Sequence, residues 1–237
     1  MDKIIIVVPG LFGGLSKKSY MPLAKTFGAK DFLLFRAGAD WNPDAIAMDI
    51  SNISGHKIVI CLSCGALIGN LLAGHPGTEV FYMCPCLGRN FLRNKVIRKL
   101  SPFLRIISLV FMAITKPLAW HRWYPLYGGT KPDGWHLSLY AIIKQFAYIL
   151  SETPLIKPVS GVVYSLGDNS IDPNSVLAAF PDAVSAWTVD HNAPAHINLR
   201  SEGSQFGHIS ANQSDKPGRD AEAYIKAFRK ILSKRPL

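Results

Sequence analysis

Apolar residues occur along much of this chain as short continuous runs. The clearest runs lie at residues 4–8, 32–35, 57–62, 80–83 and 161–166 and are rich in Ile, Val, Leu and Phe. Runs of this length without polar alternation are typical of strands buried on both faces of a parallel sheet. Helical patterns lie between and after them, at 44–50, 65–72 and 220–233. The alternation predicts an α/β fold with a mostly parallel sheet flanked by helices.

Residues 86–150 interrupt this alternation. They contain three helical patterns, at 90–100, 103–115 and 135–150, and an aromatic, Pro- and Gly-rich loop at 116–134. We interpret the segment as a helical cap carried on the sheet domain. The predicted organisation is therefore a core of residues 1–85 and 151–237 with a cap at 86–150.

A serine lies where the third apolar run meets the next helix. Ser63 follows the run at 57–62, and the helical pattern begins two residues later, at Gly65. This spacing is typical of a nucleophile elbow, in which small residues flank a strained serine and the helix N-terminus faces it. The position two residues before the serine, usually Gly, is Cys61. A serine in an ordinary strand–helix turn is the alternative interpretation.

A glycine-rich loop follows the first apolar run, with Gly10, Gly13 and Gly14. Acyl transfer needs two N–H donors for the oxyanion, and we expect them from Leu11 in this loop and from Cys64 after the serine. Phe12 is expected to contact substrate. The loop has neither Gly-x-Gly-x-x-Gly nor Gly-Lys-Ser/Thr, which argues against phosphate binding.

A serine nucleophile also needs a base and a carboxylate that orients it. Asp168 follows the run at 161–166 and is the predicted acid, with Asp172 as the second choice. His208 is the predicted base because a loop leads from it into the final helix. His196 is the alternative base, since it is closer in sequence to Asp168.

Taken in chain order, these motifs resemble the α/β-hydrolase superfamily. The local sequences around Asp168 and His208 are most similar to those of its lipase- and esterase-like members. The resemblance implies a sheet of about eight strands with the cap inserted after the sixth. It also implies a Ser63–His208–Asp168 triad that hydrolyses carboxylic esters through an acyl-enzyme, with no cofactor. The alternatives are a thioesterase or acyltransferase using acyl-CoA or an acyl carrier, and a non-catalytic binding protein of this fold.

Composition adds the size and the expected location of the protein. With 237 residues, 49% of them apolar, the chain is large enough for one well-buried domain. The run at 4–8 is too short for a signal peptide, so we expect a cytoplasmic protein with reduced cysteines. A four-thiolate metal site is a weaker possibility, formed by the cysteines at Cys61, Cys64, Cys84 and Cys86.

The formal net charge of +10 is concentrated in the cap. Residues 86–150 contain ten Lys and Arg and one acid, which accounts for nine of the ten charges. We expect the apolar faces of the cap helices to pack on the core, and aromatic residues of the cap to contact an apolar acyl chain, at Trp120, Trp123 and Tyr124. The charge also suits peripheral contact with anionic lipid or an acidic acyl carrier. No nucleic-acid-binding motif accompanies it.

Overall fold

A computed structural model describes residues 3–10, 17–35, 41–116, 139–168, 170–186 and 219–234. The sheet they form has six strands, all parallel, in the order β2-β1-β3-β4-β5-β6. The strands are β1 (Lys3–Val8), β2 (Leu33–Leu34), β3 (His56–Leu62), β4 (Thr78–Met83), β5 (Gly161–Ser165) and β6 (Val184–Ala186). The predicted parallel α/β sheet is confirmed. The prediction of about eight strands is wrong for this part of the chain.

Helices cover both faces of the sheet. They are α1 (Lys17–Thr26), α2 (Pro43–Ser51), α3 (Gly65–Leu72), α4 (Lys95–Thr115), α5 (Leu139–Ile149), α6 (Pro173–Ala179) and α7 (Arg219–Leu232), with a 3-10 turn at Arg89–Phe91. Alternate residues of one strand enter different cores: Ile6 and Val8 of β1 belong to one apolar cluster, and Ile5 and Val7 to the other. This two-sided burial is why the strands are continuous apolar runs in the sequence.

The helical segment at 86–150 differs from its prediction in two ways. It follows the fourth strand of the described sheet rather than a sixth. The sequence predicts separate helices at 90–100 and 103–115, but one helix, α4, runs from Lys95 to Thr115 with Pro102 inside it. Proline has no N–H for the carbonyl of Arg98, and the Ser101 hydroxyl donates to that carbonyl instead, at 2.8 Å. Because the Ser101 hydroxyl takes the place of the missing N–H, the Arg98 carbonyl keeps a donor where the helix passes Pro102.

The strand order contains a switch point beside β1. The chain passes from β1 outward to β2, then returns to the other side of β1 and adds β3, β4, β5 and β6 in turn. In open parallel sheets, ligands bind at the carboxyl ends of the strands where the order reverses. The loop after Val8 and the residues after Leu62 therefore meet at the expected site. Within the described residues, no helix has both the length and the hydropathy needed to span a bilayer.

Candidate active site

Ser63 occupies a strained backbone position at the carboxyl end of β3. Its φ is 50°, in the left-handed region that side chains other than glycine rarely adopt. Three backbone hydrogen bonds hold it there: its N–H donates to the Met83 carbonyl at 3.0 Å, and its carbonyl accepts from the Cys86 N–H at 3.0 Å and the Ala66 N–H at 3.1 Å. The residue is 3% exposed. A left-handed residue between a strand and a helix is the backbone geometry that a nucleophile elbow requires.

Gly65, the first residue of α3, shows why the position two residues after the serine must be small. A Cβ built on Gly65 would lie 2.6 Å from the carbonyl oxygen of Val8 and 2.8 Å from that of Pro9. Because both neighbours are backbone atoms at the end of β1, a side chain could fit only by moving the strand. The close contact brings the Ser63 turn against the start of the glycine-rich loop.

The structure also accounts for Cys61 at the position where the elbow pattern has glycine. The Cys61 side chain is fully buried and faces Gly69, on the second turn of α3. A Cβ on Gly69 would lie only 2.7 Å from the Cys61 sulfur. Gly69, on the helix, is therefore the small residue that lets α3 approach β3.

Of the two predicted oxyanion donors, the structure describes one. Cys64 is the N-cap of α3, with φ −67°, so its N–H lies at the positive end of the helix dipole, next to Ser63. Leu11, the other donor, lies outside the described residues. So do the predicted substrate contacts, which are Phe12, Trp120, Trp123 and Tyr124.

Asp168 is 1% exposed and lies three residues beyond β5. One carboxylate oxygen, Oδ1, accepts from the backbone N–H groups of Ser170 at 2.8 Å and Ile171 at 2.9 Å. The Arg93 guanidinium donates to the backbone carbonyl of Asp168. The residue is thus held by its own turn and by the start of the helical segment that contains α4.

A buried group of side chains that the sequence motifs did not indicate surrounds Asp168. The Cys84 sulfur lies 3.2 Å from the Tyr224 hydroxyl, and the two groups are hydrogen-bonded. Burial, followed by the charge of Asp168, raises the pKa of the Cys84 thiol well above its usual value. The thiol therefore stays neutral and able to donate.

Asp172, the second choice for the acid, has a structural role. It is the N-cap of α6: Oδ1 accepts from the Asn174 N–H at 3.1 Å, and Oδ2 accepts from Ser175 and Arg98, each at 3.1 Å. Burial by itself would raise the pKa of this carboxyl, but the bonds from Arg98, Ser175 and the Asn174 N–H outweigh it and lower the pKa. Through these hydrogen bonds the Asp172 carboxylate links α4 to the N-terminus of α6.

Both candidate bases, His208 and His196, lie outside the described residues. Within the described part of the chain, no three His, Cys, Asp or Glu side chains are placed to hold a metal ion. The four-thiolate site is not formed, because the cysteines face different sides of the sheet: Cys61, Cys64 and Cys86 lie in one apolar cluster and Cys84 in the other.

Ser63 and Asp168 emerge at the same edge of the sheet, after strands that flank β4. Ser63 directly follows β3 and Asp168 lies three residues beyond β5, and each of these strands pairs with β4. A catalytic triad would need a base hydrogen-bonded to both side chains, and both candidate histidines lie outside the described residues.

Comparisons with known proteins found solved structures of hydrolases. No protein-family model and no curated protein sequence matches the chain. Its structure is similar to that of a hydrolase from Oleispira antarctica, with 13% identity, a TM-score of 0.44, and 79% of this chain and 83% of the other covered. It is also similar to a marine microorganism esterase, with 14% identity, a TM-score of 0.46, and 79% of this chain and 87% of the other covered. A lipase-esterase related protein from Clostridium acetobutylicum has 12% identity and a TM-score of 0.42, with 80% of this chain and 86% of the other covered.

These neighbours are hydrolases and esterases of the α/β-hydrolase fold, the fold family that the sequence motifs resemble. At these identities and TM-scores, what each neighbour does is a property of that protein. The reaction of this chain has to be inferred from its own residues.

Proposed function

We propose that this protein is a serine hydrolase of carboxylic esters. The observation that carries the proposal is the left-handed conformation of Ser63 at the end of a central parallel strand, with Gly65 in contact with the end of β1. A strained serine at the N-terminus of a buried helix is the arrangement that exposes a nucleophile to an ester carbonyl. The buried Asp168 two strands away supplies the third member of the triad.

In the proposed reaction, the Ser63 hydroxyl oxygen attacks the ester carbonyl carbon while His208 takes the hydroxyl proton. Asp168 orients the imidazole and stabilises its positive charge. The N–H groups of Leu11 and Cys64 stabilise the oxyanion. His208 then gives the proton to the departing alcohol, and an acyl-enzyme remains on Ser63. Water, deprotonated by the same histidine, attacks the acyl carbon and releases the acid and the free serine.

Labelling with a fluorophosphonate probe, together with turnover of p-nitrophenyl esters, tests the nucleophile. We expect the wild type to be labelled and active, and Ser63→Ala to lose both while it still folds. Ser233→Ala, beyond the end of α7 and exposed, is the matched control and should keep both properties. Undiminished turnover by Ser63→Ala would overturn the assignment.

The base is tested by comparing His208→Ala with His196→Ala on the same ester. We expect turnover to fall by about a thousandfold or more in the first variant, since removing one triad member leaves little more than oxyanion stabilisation and binding. The second variant should stay close to wild type. The reverse result would assign the base to His196.

The basic charge of the helical segment favours a second candidate, a thioesterase or acyltransferase that recognises the phosphates of an acyl-CoA. A comparison of p-nitrophenyl and acyl-CoA substrates of equal chain length separates the two. A higher kcat/KM for the thioester would favour this candidate. Failure of the probe to label Ser63 in the folded wild type would instead favour a non-catalytic binding protein.

A further inference from the structure

The outward side of α4 is apolar, contrary to the prediction that the cap helices bury their apolar faces on the core. Ten of its large apolar side chains are exposed. They make up two thirds of the exposed large apolar side chains in the described part of the chain. One stripe, at spacings of three and four residues, is 49–64% exposed along its length and consists of Val96, Leu100, Phe103, Ile106, Val110 and Ile114. Over 21 residues, α4 is roughly 30 Å long, so the stripe is a large apolar surface.

The inward side of α4 carries small polar residues. Ser101 and Thr115 are buried and Ser108 is half-buried, where α4 packs against α5. Each hydroxyl donates to a carbonyl of its own helix, on Arg98, Phe111 and Leu104 respectively, so none needs water. The buried side of α4 therefore satisfies its own hydroxyl groups, and its large apolar residues lie on the outward side.

The charge around the stripe indicates which kind of partner covers it. The described part of the segment, residues 86–116 and 139–150, contains eight Lys and Arg and no Asp or Glu. Lys95, Lys99 and Arg105 are exposed on α4 itself. A second copy of this chain would bring the same positive charge to the contact, which opposes self-association. An apolar stripe with Lys95 and Lys99 beside its N-terminal half instead complements an anionic bilayer surface.

We infer that α4 lies in the plane of an anionic lipid membrane, with this stripe in the acyl-chain boundary and its cations at the headgroups. The start of the segment is hydrogen-bonded to the turn of the predicted acid, through Arg93 to Asp168 and through Arg98 to Asp172. Docking along α4 therefore places the carboxyl edge of the sheet close to the bilayer, where esters with long acyl chains reside.

Vesicle flotation of the full chain tests this binding. The probes are vesicles of phosphatidylcholine alone and of phosphatidylcholine with roughly one third phosphatidylglycerol, at low and high salt. We expect binding to the anionic vesicles, weakened by salt, and little binding to the neutral ones. Phe103→Glu with Val110→Glu, and separately Lys95→Gln with Lys99→Gln, should each reduce binding by about tenfold or more. Both pairs are exposed, so folding should be retained, as circular dichroism would verify.

Matched controls use equally exposed residues elsewhere. Met48→Glu on α2, 61% exposed, and Lys226→Gln with Lys230→Gln on α7 should bind as the wild type does. Three results would overturn the inference: no binding to anionic vesicles, binding that the α4 variants retain, or a dimer in light scattering that the Phe103→Glu, Val110→Glu variant dissociates. An acidic carrier protein that binds α4 while vesicles do not would overturn it as well. Flotation does not depend on turnover, so its failure leaves the proposed ester hydrolysis untouched.

Discussion

At the scale of the residue, Ser63 combines a functional side chain with an unfavourable backbone. A residue with a Cβ at φ 50° costs of the order of 1 kcal/mol relative to glycine. The Ser63 N–H donates to the Met83 carbonyl and the Ser63 carbonyl accepts from the Cys86 N–H, and these bonds hold the backbone in its strained conformation.

This strain predicts that the inactive variants Ser63→Gly and Ser63→Ala differ in stability. We expect Ser63→Gly to unfold at a higher urea concentration than Ser63→Ala, by about 1 kcal/mol in free energy of unfolding, because glycine adopts this φ without cost. Equal stabilities, or a more stable alanine variant, would contradict a strained conformation at this position.

The contact between Cys61 and Gly69 predicts a coupling between the two positions. Gly69→Ala should destabilise the protein by about 1–3 kcal/mol, because the new Cβ would lie 2.7 Å from the Cys61 sulfur and 2.6 Å from the ring of Tyr82. In the Cys61→Ala background the sulfur is absent, so part of that loss should be recovered. Urea denaturation of the four proteins in this cycle measures the coupling, and strictly additive effects would argue against the contact.

Sequence reasoning singled out Ser63 and Asp168 because each belongs to a local pattern, a strand that ends in a characteristic turn. It named Cys84 only as a possible metal ligand and did not anticipate its contact with Tyr224. These two residues are 140 positions apart, and nothing in the sequence near either one indicates the other. In the folded protein Cys84 also has a left-handed φ, of 46°.

At the scale of the element, α4 is fastened to the core by the Arg98–Asp172 ion pair. The pKa of Asp172 is lowered from its ordinary value of 3.8, so the folded state favours the carboxylate. A lowered carboxyl pKa contributes stability above its unfolded value, and that stability is lost as the pH falls through the folded value. The pair is therefore weakened only in acid.

We expect Arg98→Gln to be less stable than the wild type at neutral pH, and the difference to shrink as the pH falls below about 4. Thermal unfolding over a pH series measures it. Lys99→Gln, one residue along the same helix, is the control and should show no such convergence. A difference for Arg98→Gln that is constant with pH would show that the charge on Asp172 is not involved.

The elements themselves were predictable to different degrees. Continuous apolar runs placed β1, β3, β4 and β5, since buried parallel strands leave no polar position to obscure them. The short strand β6 (Val184–Ala186) has only three residues, too few for a pattern. The interruption of α4 was predicted wrongly because the effect of Pro102 depends on whether another donor, here the Ser101 hydroxyl, serves the carbonyl of Arg98.

At the scale of the whole molecule, all four cysteines are free and buried. Burial raises the pKa of each thiol, for Cys86 to about 12, against a smaller opposing effect of a hydrogen bond from Gly88. At pH 8 the Cys86 thiol is therefore protonated, and the thiolate is the reactive form. Thiol chemistry should therefore report on opening of the fold.

Ellman's reagent added to the folded protein at pH 8 should modify none of the four cysteines quickly. All four should react in concentrated urea, and the rate should rise along the same urea transition as unfolding followed by circular dichroism. One thiol that reacts in the folded protein as fast as free cysteine would contradict the burial described here, and peptide mapping would identify it.

The bonds from Arg93 and Arg98 to the turn at 168–172 have a consequence for how this protein could have diverged. A segment inserted between two strands is ordinarily interchangeable, because the sheet closes without it. Here the segment contributes donors to the turn that carries the proposed acid, so exchanging it for the corresponding segment of another hydrolase would remove part of that turn's support. Arg98 and Asp172, which are joined side chain to side chain, should accordingly be inherited together even where the rest of the segment changes freely. Arg93 bonds to the backbone at residue 168, so its retention should not depend on which residue stands there.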